Sequence, residues 1–179
     1  MVTSAENEDW VPDSKDWTWT SGQECPECGF DASAIDRLSV PSRVRQNAAA
    51  WAGVLAGAQL RDRPNRHTWS PLEYAAHVRD VHRVYAERLR RFLVEDNPTF
   101  INWDQDAAAV ADRYNEQDPA VVATELADAA ELAASGFEAV PADAWTRTAE
   151  RSDGAKFTLD SFARYYLHDV VHHLWDVQR

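Results

Sequence analysis

Apolar positions recur at intervals of three and four along most of this chain, and they divide it into helices joined by short polar loops. Val44, Ala48, Trp51, Val54 and Leu55 share one face, so a first helix is expected from Pro41 or Ser42 to about Gln59, ended by the Arg61-Asp62-Arg63-Pro64-Asn65-Arg66 loop. Ser70, Pro71 and Glu73 supply the N-cap, first-position proline and capping-box acid of a second helix start. That helix should run to about Val94, with Tyr74, Val78, Val81, Tyr85, Leu89 and Phe92 inward and His77 and His82 on its two borders. Beyond the loop opened by Asn97-Pro98, a short helix is expected from Asp106 to Asn115. Asp118-Pro119 opens an alanine-rich helix through Val122, Leu126 and Ala133 to Ser135-Gly136, whose small residues permit close packing. Alternation across Trp145-Thr146-Arg147-Thr148 and Lys156-Phe157, around Ser152-Asp153-Gly154, predicts a small hairpin. Thr158 then caps a last helix that runs essentially to the C-terminus. Four long helices with a shorter fifth make an all-α bundle.

Residues 1–32 break this pattern. They are acidic, show no sustained period and carry Trp10, Trp17 and Trp19. An arm ahead of a bundle domain at 33–179 is the expected organisation, and three indoles imply that part of the arm packs, across the domain or against a second subunit. The chain's two cysteines, Cys25 and Cys28, lie in this arm as Cys-Pro-Glu-Cys. A four-cysteine zinc site would need two more thiolates, and the strand-then-helix setting of a thioredoxin-like dithiol is missing. A loop feature without catalytic role, a mixed or intermolecular metal site and a redox pair all stay open.

The last helix concentrates the candidate chemistry. Tyr166, Leu167, Val170, Val171, Leu174 and Val177 form its apolar face, and Asp169 and His173 flank that face one turn apart. A carboxylate and an imidazole at the edge of a buried face need compensation, which a divalent metal or a paired polar contact would provide. The other pair at this spacing, His168 and His172, projects away from the apolar stripe, toward expected solvent. In the loops, Trp103 and Asp104 could line a pocket or serve as a packing residue and a helix cap. Arg147 and Arg151 could hold an anionic substrate or pair with surface carboxylates.

Composition narrows the partners. A net charge of −12 repels phosphate backbones and disfavours nucleic acid. No apolar run approaches the ~20 residues of a membrane span, and the N-terminus lacks the basic and apolar regions of a signal peptide. A soluble cytoplasmic protein is the expectation. Arginine outnumbers lysine sixteen to two and alanine is abundant, in the manner of a GC-rich genome.

The pattern Trp69-Ser70-Pro71-Leu72-Glu73 followed by His77, together with Asp169, His173, Asp176 and Val177 on the last helix, resembles the DinB/YfiT-like superfamily, including its mycothiol-dependent maleylpyruvate isomerase type. The similarity covers about residues 40–177 and lies in the combination and spacing of the motifs. It implies a four-helix bundle in an up-down-down-up arrangement with one divalent metal, held by His77, Asp169 and His173. Asp169 departs from the His of many members and the Glu of the isomerase type, and His168 with His172 is the rival pair. Two imidazoles and a carboxylate suit zinc, and also nickel, manganese or iron. The resemblance further implies a thiol S-transferase or related detoxifying enzyme with a mycothiol-type thiol as cosubstrate. A metal-dependent hydrolase, with Asp104 as the candidate base, and a non-catalytic binding module are the alternatives. A small-molecule substrate is expected, and a homodimer would suit the apolar faces of such a bundle.

Overall fold

The computed structural model describes residues 11 and 15–179, so the expectation for Trp10 lies outside the described residues. Helices α1 (Val40–Leu55), α2 (Pro71–Val94), α4 (Pro119–Glu138) and α5 (Leu159–Asp176) form the bundle, with the short α3 (Gln105–Ala111) across a connection. This is the all-α, four-plus-one architecture expected from the apolar periodicity. α1 ends four residues short of expectation, and a 3-10 turn at Tyr114–Glu116 replaces the end of the short helix, because Arg113 adopts a left-handed φ of 47°.

The start of α2 matters most for position. Ser70 accepts from the Glu73 amide while Glu73 accepts from the Ser70 amide, a complete capping box. Arg63 pairs with the buried Glu73 and the Leu72 amide bonds to the Leu60 carbonyl at 2.9 Å, so the preceding loop is tied to the same turn. α4 packs against α2 so closely that a Cβ on Gly136 would meet Leu89 Cδ2 at 3.0 Å. Tyr85, Phe162, Tyr166 and Phe137 stack between α2, α4 and α5, with successive centroids 4.8, 4.7 and 5.5 Å apart around Tyr85 and Tyr166. α1 is joined to α5 by the buried Asn47, whose amide donates to the Val170 carbonyl at 2.9 Å.

The hairpin is present as β2 (Thr148–Arg151) and β3 (Lys156–Thr158), but it begins later than alternation suggests, since Ala144–Thr146 form a 3-10 turn. A third strand, β1 (Thr99–Phe100), pairs in parallel with β2 in the register Thr99↔Glu150 and Phe100↔Arg151. Two residues are too few to leave a period-two signal. The sheet matters because it holds the following loop: the Asn102 amide donates to Ser152 Oγ at 2.8 Å, and Arg88 donates to the Ile101 carbonyl at 2.9 Å. Trp103 is thereby laid onto α2.

The N-terminal segment from residue 15 onward is a chain of 3-10 turns at Thr18–Ser21, Ala32–Ala34 and Arg37–Ser39, packed against α5 of its own chain. Among the described residues, no helix is long and apolar enough to cross a membrane.

Candidate metal centre

His77 enters from the second turn of α2, and Asp169 and His173 enter from one side of α5. Their donor atoms converge. His173 Nε2 lies 3.1 Å from His77 Nε2 and 3.1 Å from Asp169 Oδ1, and His77 Nε2 lies 4.0 Å from Asp169 Oδ1. These three residues, drawn from two facing helices, form a cluster that could hold a metal ion.

The surroundings set the charge on each group. His77 is fully buried, and burial together with the neighbouring His173 pushes its pKa down to about 3, so it is a neutral imidazole at any ordinary pH. Burial also disfavours charge on His173, but hydrogen bonds to Asp169 and Asp176 outweigh it and raise that imidazole to about 9. Burial likewise opposes ionisation of Asp169, yet the His173 hydrogen bond holds its carboxyl below the usual range. His173 Nδ1 lies 3.3 Å from Asp176 Oδ2, the carboxylate-histidine arrangement that orients a metal-binding imidazole. His77 is fixed differently, between rings: Trp103 stacks on it at 5.4 Å and 6°, and Trp69 meets it edge-on at 5.1 Å. Its Nδ1 is buried with no hydrogen-bond partner among the described residues. An imidazole buried at such cost and turned toward two further electron-pair donors suits a cation between them.

Two adjoining cavities lie beside this cluster, sharing Trp17, Gln105, Tyr165 and Asp169 in their walls. One, of about 630 Å³, is lined by Trp69, Tyr74, His173, Asp176 and Arg179 among others. The second, of about 620 Å³, is lined by Arg88, Trp103, Asp104, Arg151 and Tyr165 among others.

The remaining expected site residues divide. Trp103, Asp104 and Arg151 are brought to the second cavity. Asp104 also caps α3 by accepting from the Ala107 amide. Arg147 is not brought there: it donates to the Phe92 and Glu95 carbonyls, each at 2.5 Å, and closes the C-terminal end of α2. That end leaves carbonyls without helical partners, which explains where the guanidinium goes. His168 and His172 do not point to solvent. They are 3% and 7% exposed, because the N-terminal segment covers that side of α5. His82 is also buried, and its Nδ1 lies 2.5 Å from Tyr166 Oη, which makes it a core residue.

Sequence reasoning missed Arg88. It falls between Val81 and His77 on the wheel of α2, at the edge of the inward face, and the loop at 101–104 lies over it, so that burial lowers its pKa. An arginine one turn from the inward-facing Tyr85 and adjacent to Leu89 is too ordinary a pattern to have signalled this.

The chain matches the DinB superfamily over residues 42–177. No curated protein matches it. Among solved structures it is similar to YfiT from Bacillus subtilis, described as a probable metal-dependent hydrolase with an unusual four-helix bundle topology, at a TM-score of 0.62 and 16% identity, covering 96% of this chain and 93% of that one. At that identity the likeness shows the fold.

Proposed function

The chain belongs to the DinB superfamily, and we propose that it is a divalent-metal-dependent enzyme in which His77, Asp169 and His173 hold the metal and a low-molecular-weight thiol of the mycothiol type is transferred to an electrophilic small molecule. The observation that carries this reading is the space beside the donor cluster, where two adjoining cavities of about 630 and 620 Å³ share Asp169 in their walls. A reaction between two substrates needs room for both beside one point, whereas hydrolysis needs room for one substrate and water. A divalent cation held there supplies the acidity that turns a bound thiol, or a bound water, into a nucleophile at neutral pH.

This chain's own residues do the rest. Asp176 holds the His173 ring in place through Nδ1. Trp69 and Trp103 keep His77 at one orientation and exclude water from its buried side. Arg88 lines the second cavity, where Arg151 pairs with Asp153 at 2.8 Å and Asp16, Asp104, Asp106 and Asp169 also face in, so the cavity offers polar groups of both signs and no excess of positive charge. Asp104, the candidate base for hydrolysis, is engaged as a helix cap, which weighs against the hydrolase reading.

The test is metal content by mass spectrometry for wild type, His77→Ala and His173→Ala, followed by assays with cysteine-based thiols and electrophiles and, in parallel, with esters and amides. Loss of one divalent ion in both variants, and turnover that requires thiol, is the expected result. Turnover without thiol would make the protein a hydrolase. Metal binding with neither turnover would leave a binding module, and unchanged metal content in both variants would remove the site.

A further inference from the structure

We propose that Cys25, Cys28, His168 and His172 form a second, structural zinc site that fastens the N-terminal segment to α5. The four donor atoms lie within 4.8 Å of one another, and Cys25 Sγ is 3.8 Å from His172 Nδ1. A tetrahedral zinc with sulfur at about 2.3 Å and nitrogen at about 2.0–2.1 Å has ligand-to-ligand edges of roughly 3.3–3.8 Å, so one edge is already in place and the others need to close by about 1.5 Å at most.

The backbone around the cysteines is shaped for this. The Gly29 amide bonds to the Cys25 carbonyl and the Cys25 amide to the Phe30 carbonyl, each at 2.8 Å, and Gly29 takes the left-handed φ of +72° that lets the chain reverse. This tight turn turns both sulfurs toward α5. From α5, His168 and His172 are one turn apart and face the same point. His168 Nε2 is buried with no hydrogen-bond partner among the described residues, in a side chain only 3% exposed. His172 Nε2, on the far side of the ring from the sulfur, faces Glu27 and Asp176 carboxylate oxygens at 3.9 Å each, the outer partners that a zinc-bound imidazole uses. Trp17 and Phe30 pack over the two histidines, with centroids 4.8 Å from His172 and 5.6 Å from His168.

Charge and softness agree with zinc. Two thiolates cancel the charge of a divalent ion, so the filled site is neutral and tolerates burial. Two sulfurs with two imidazoles make a closed, four-ligand set of the structural kind. No catalytic part is assigned to it, and it does not depend on the function proposed for the first cluster.

The test uses the full chain, reconstituted with zinc or cobalt(II). Wild type should hold two zinc ions, and its cobalt form should show thiolate-to-cobalt charge transfer in the near ultraviolet with the strong visible bands of a tetrahedral ion. Cys28→Ser and His172→Ala should each hold one ion fewer and lose the charge-transfer band, whereas His77→Ala should lose the other ion and keep the band. A wild-type cobalt form without that band would overturn the site, whether or not the variants fold. So would undiminished zinc in Cys28→Ser, or a Cys25–Cys28 disulfide in protein purified without reductant and found free of zinc at these residues.

Discussion

The two clusters on α5 are built from the same helical device, an i,i+4 pair, displaced by one residue: Asp169 with His173, and His168 with His172. One residue is about 100° of rotation, enough to send the pairs to different neighbours. The first pair meets His77 on a rigid, capped helix, and the second meets two cysteines on an irregular segment. The difference in chemistry follows from what each neighbour contributes. Two imidazoles and one carboxylate leave a divalent ion with net positive charge and an open position, which attracts an anionic nucleophile. Two thiolates and two imidazoles leave no charge and no position. The first arrangement is suited to reaction, and the second to holding a chain segment in place.

The largest effect that would break this contrast is on stability. At free zinc buffered low enough to fill only the four-ligand site, yet about a thousandfold above its Kd, zinc should add about 4 kcal/mol to the unfolding free energy. Urea unfolding should show that increment in wild type and in His77→Ala and lose it in Cys28→Ser. Equal increments in wild type and Cys28→Ser would dissolve the distinction.

Asp176 sharpens the comparison because it touches both clusters unequally. It lies 3.3 Å from His173 Nδ1 and 3.9 Å from His172 Nε2. Asp176→Asn should weaken metal binding at the first site by about 10- to 100-fold, the usual effect of removing such an outer partner. Glu27→Gln, beside His172 alone, should weaken only the second. Competition titrations against a chelator of known affinity would read both.

Proton release separates the sites next. In the metal-free protein His173 is raised to about 9, while His77 is pushed down to about 3 and the Asp169 carboxyl is held low. Only His173 must therefore lose a proton near neutrality for the first site to bind metal. Its affinity should rise about tenfold per pH unit up to about pH 9 and then level. The second site should keep rising beyond that point, because burial pushes the Cys28 thiol up to about 11. Calorimetric titrations across pH would show whether the two curves bend at different places.

How much of this was legible in the sequence follows the same division. The bundle could be read because four helices carry strong periods and because Ser70, Pro71, Glu73 and Thr158 mark helix starts by local chemistry. His77, Asp169 and His173 were legible as candidates because they border apolar faces, and borders are where facing helices meet. The burial of His168 and His172 was not legible. A helical wheel reports only the periodic partners of a helix, and here the cover is a segment with no period, held by turns and by packing of Trp17 and Phe30. For the same reason the cysteines could be recognised as a pair but not joined to histidines some 140 residues away. Arg147 illustrates a different limit, since its partners are backbone carbonyls that no side-chain pattern reveals.

The smallest effect concerns what the first site costs when no metal is bound. His77 Nδ1 is buried without a partner, so the fold carries an unsatisfied polar atom at this position. His77→Leu replaces it with an apolar side chain of similar size between Trp69 and Trp103, and leaves the His173 to Asp169 contact at 3.1 Å intact. In metal-free protein this variant should be as stable as wild type or more stable by up to about 1 kcal/mol. His82→Leu provides the control, because it also removes a buried imidazole with an orphaned nitrogen but strands the Tyr166 hydroxyl that His82 bonds, and it should destabilise. With metal present the sign for His77→Leu should reverse, since wild type alone gains the binding energy. Thermal unfolding of both variants with and without chelator would measure the pair of signs. A His77→Leu protein destabilised in both conditions would mean that this imidazole is a packing residue, and that the contrast between a reactive and a structural cluster rests on the cysteine side alone.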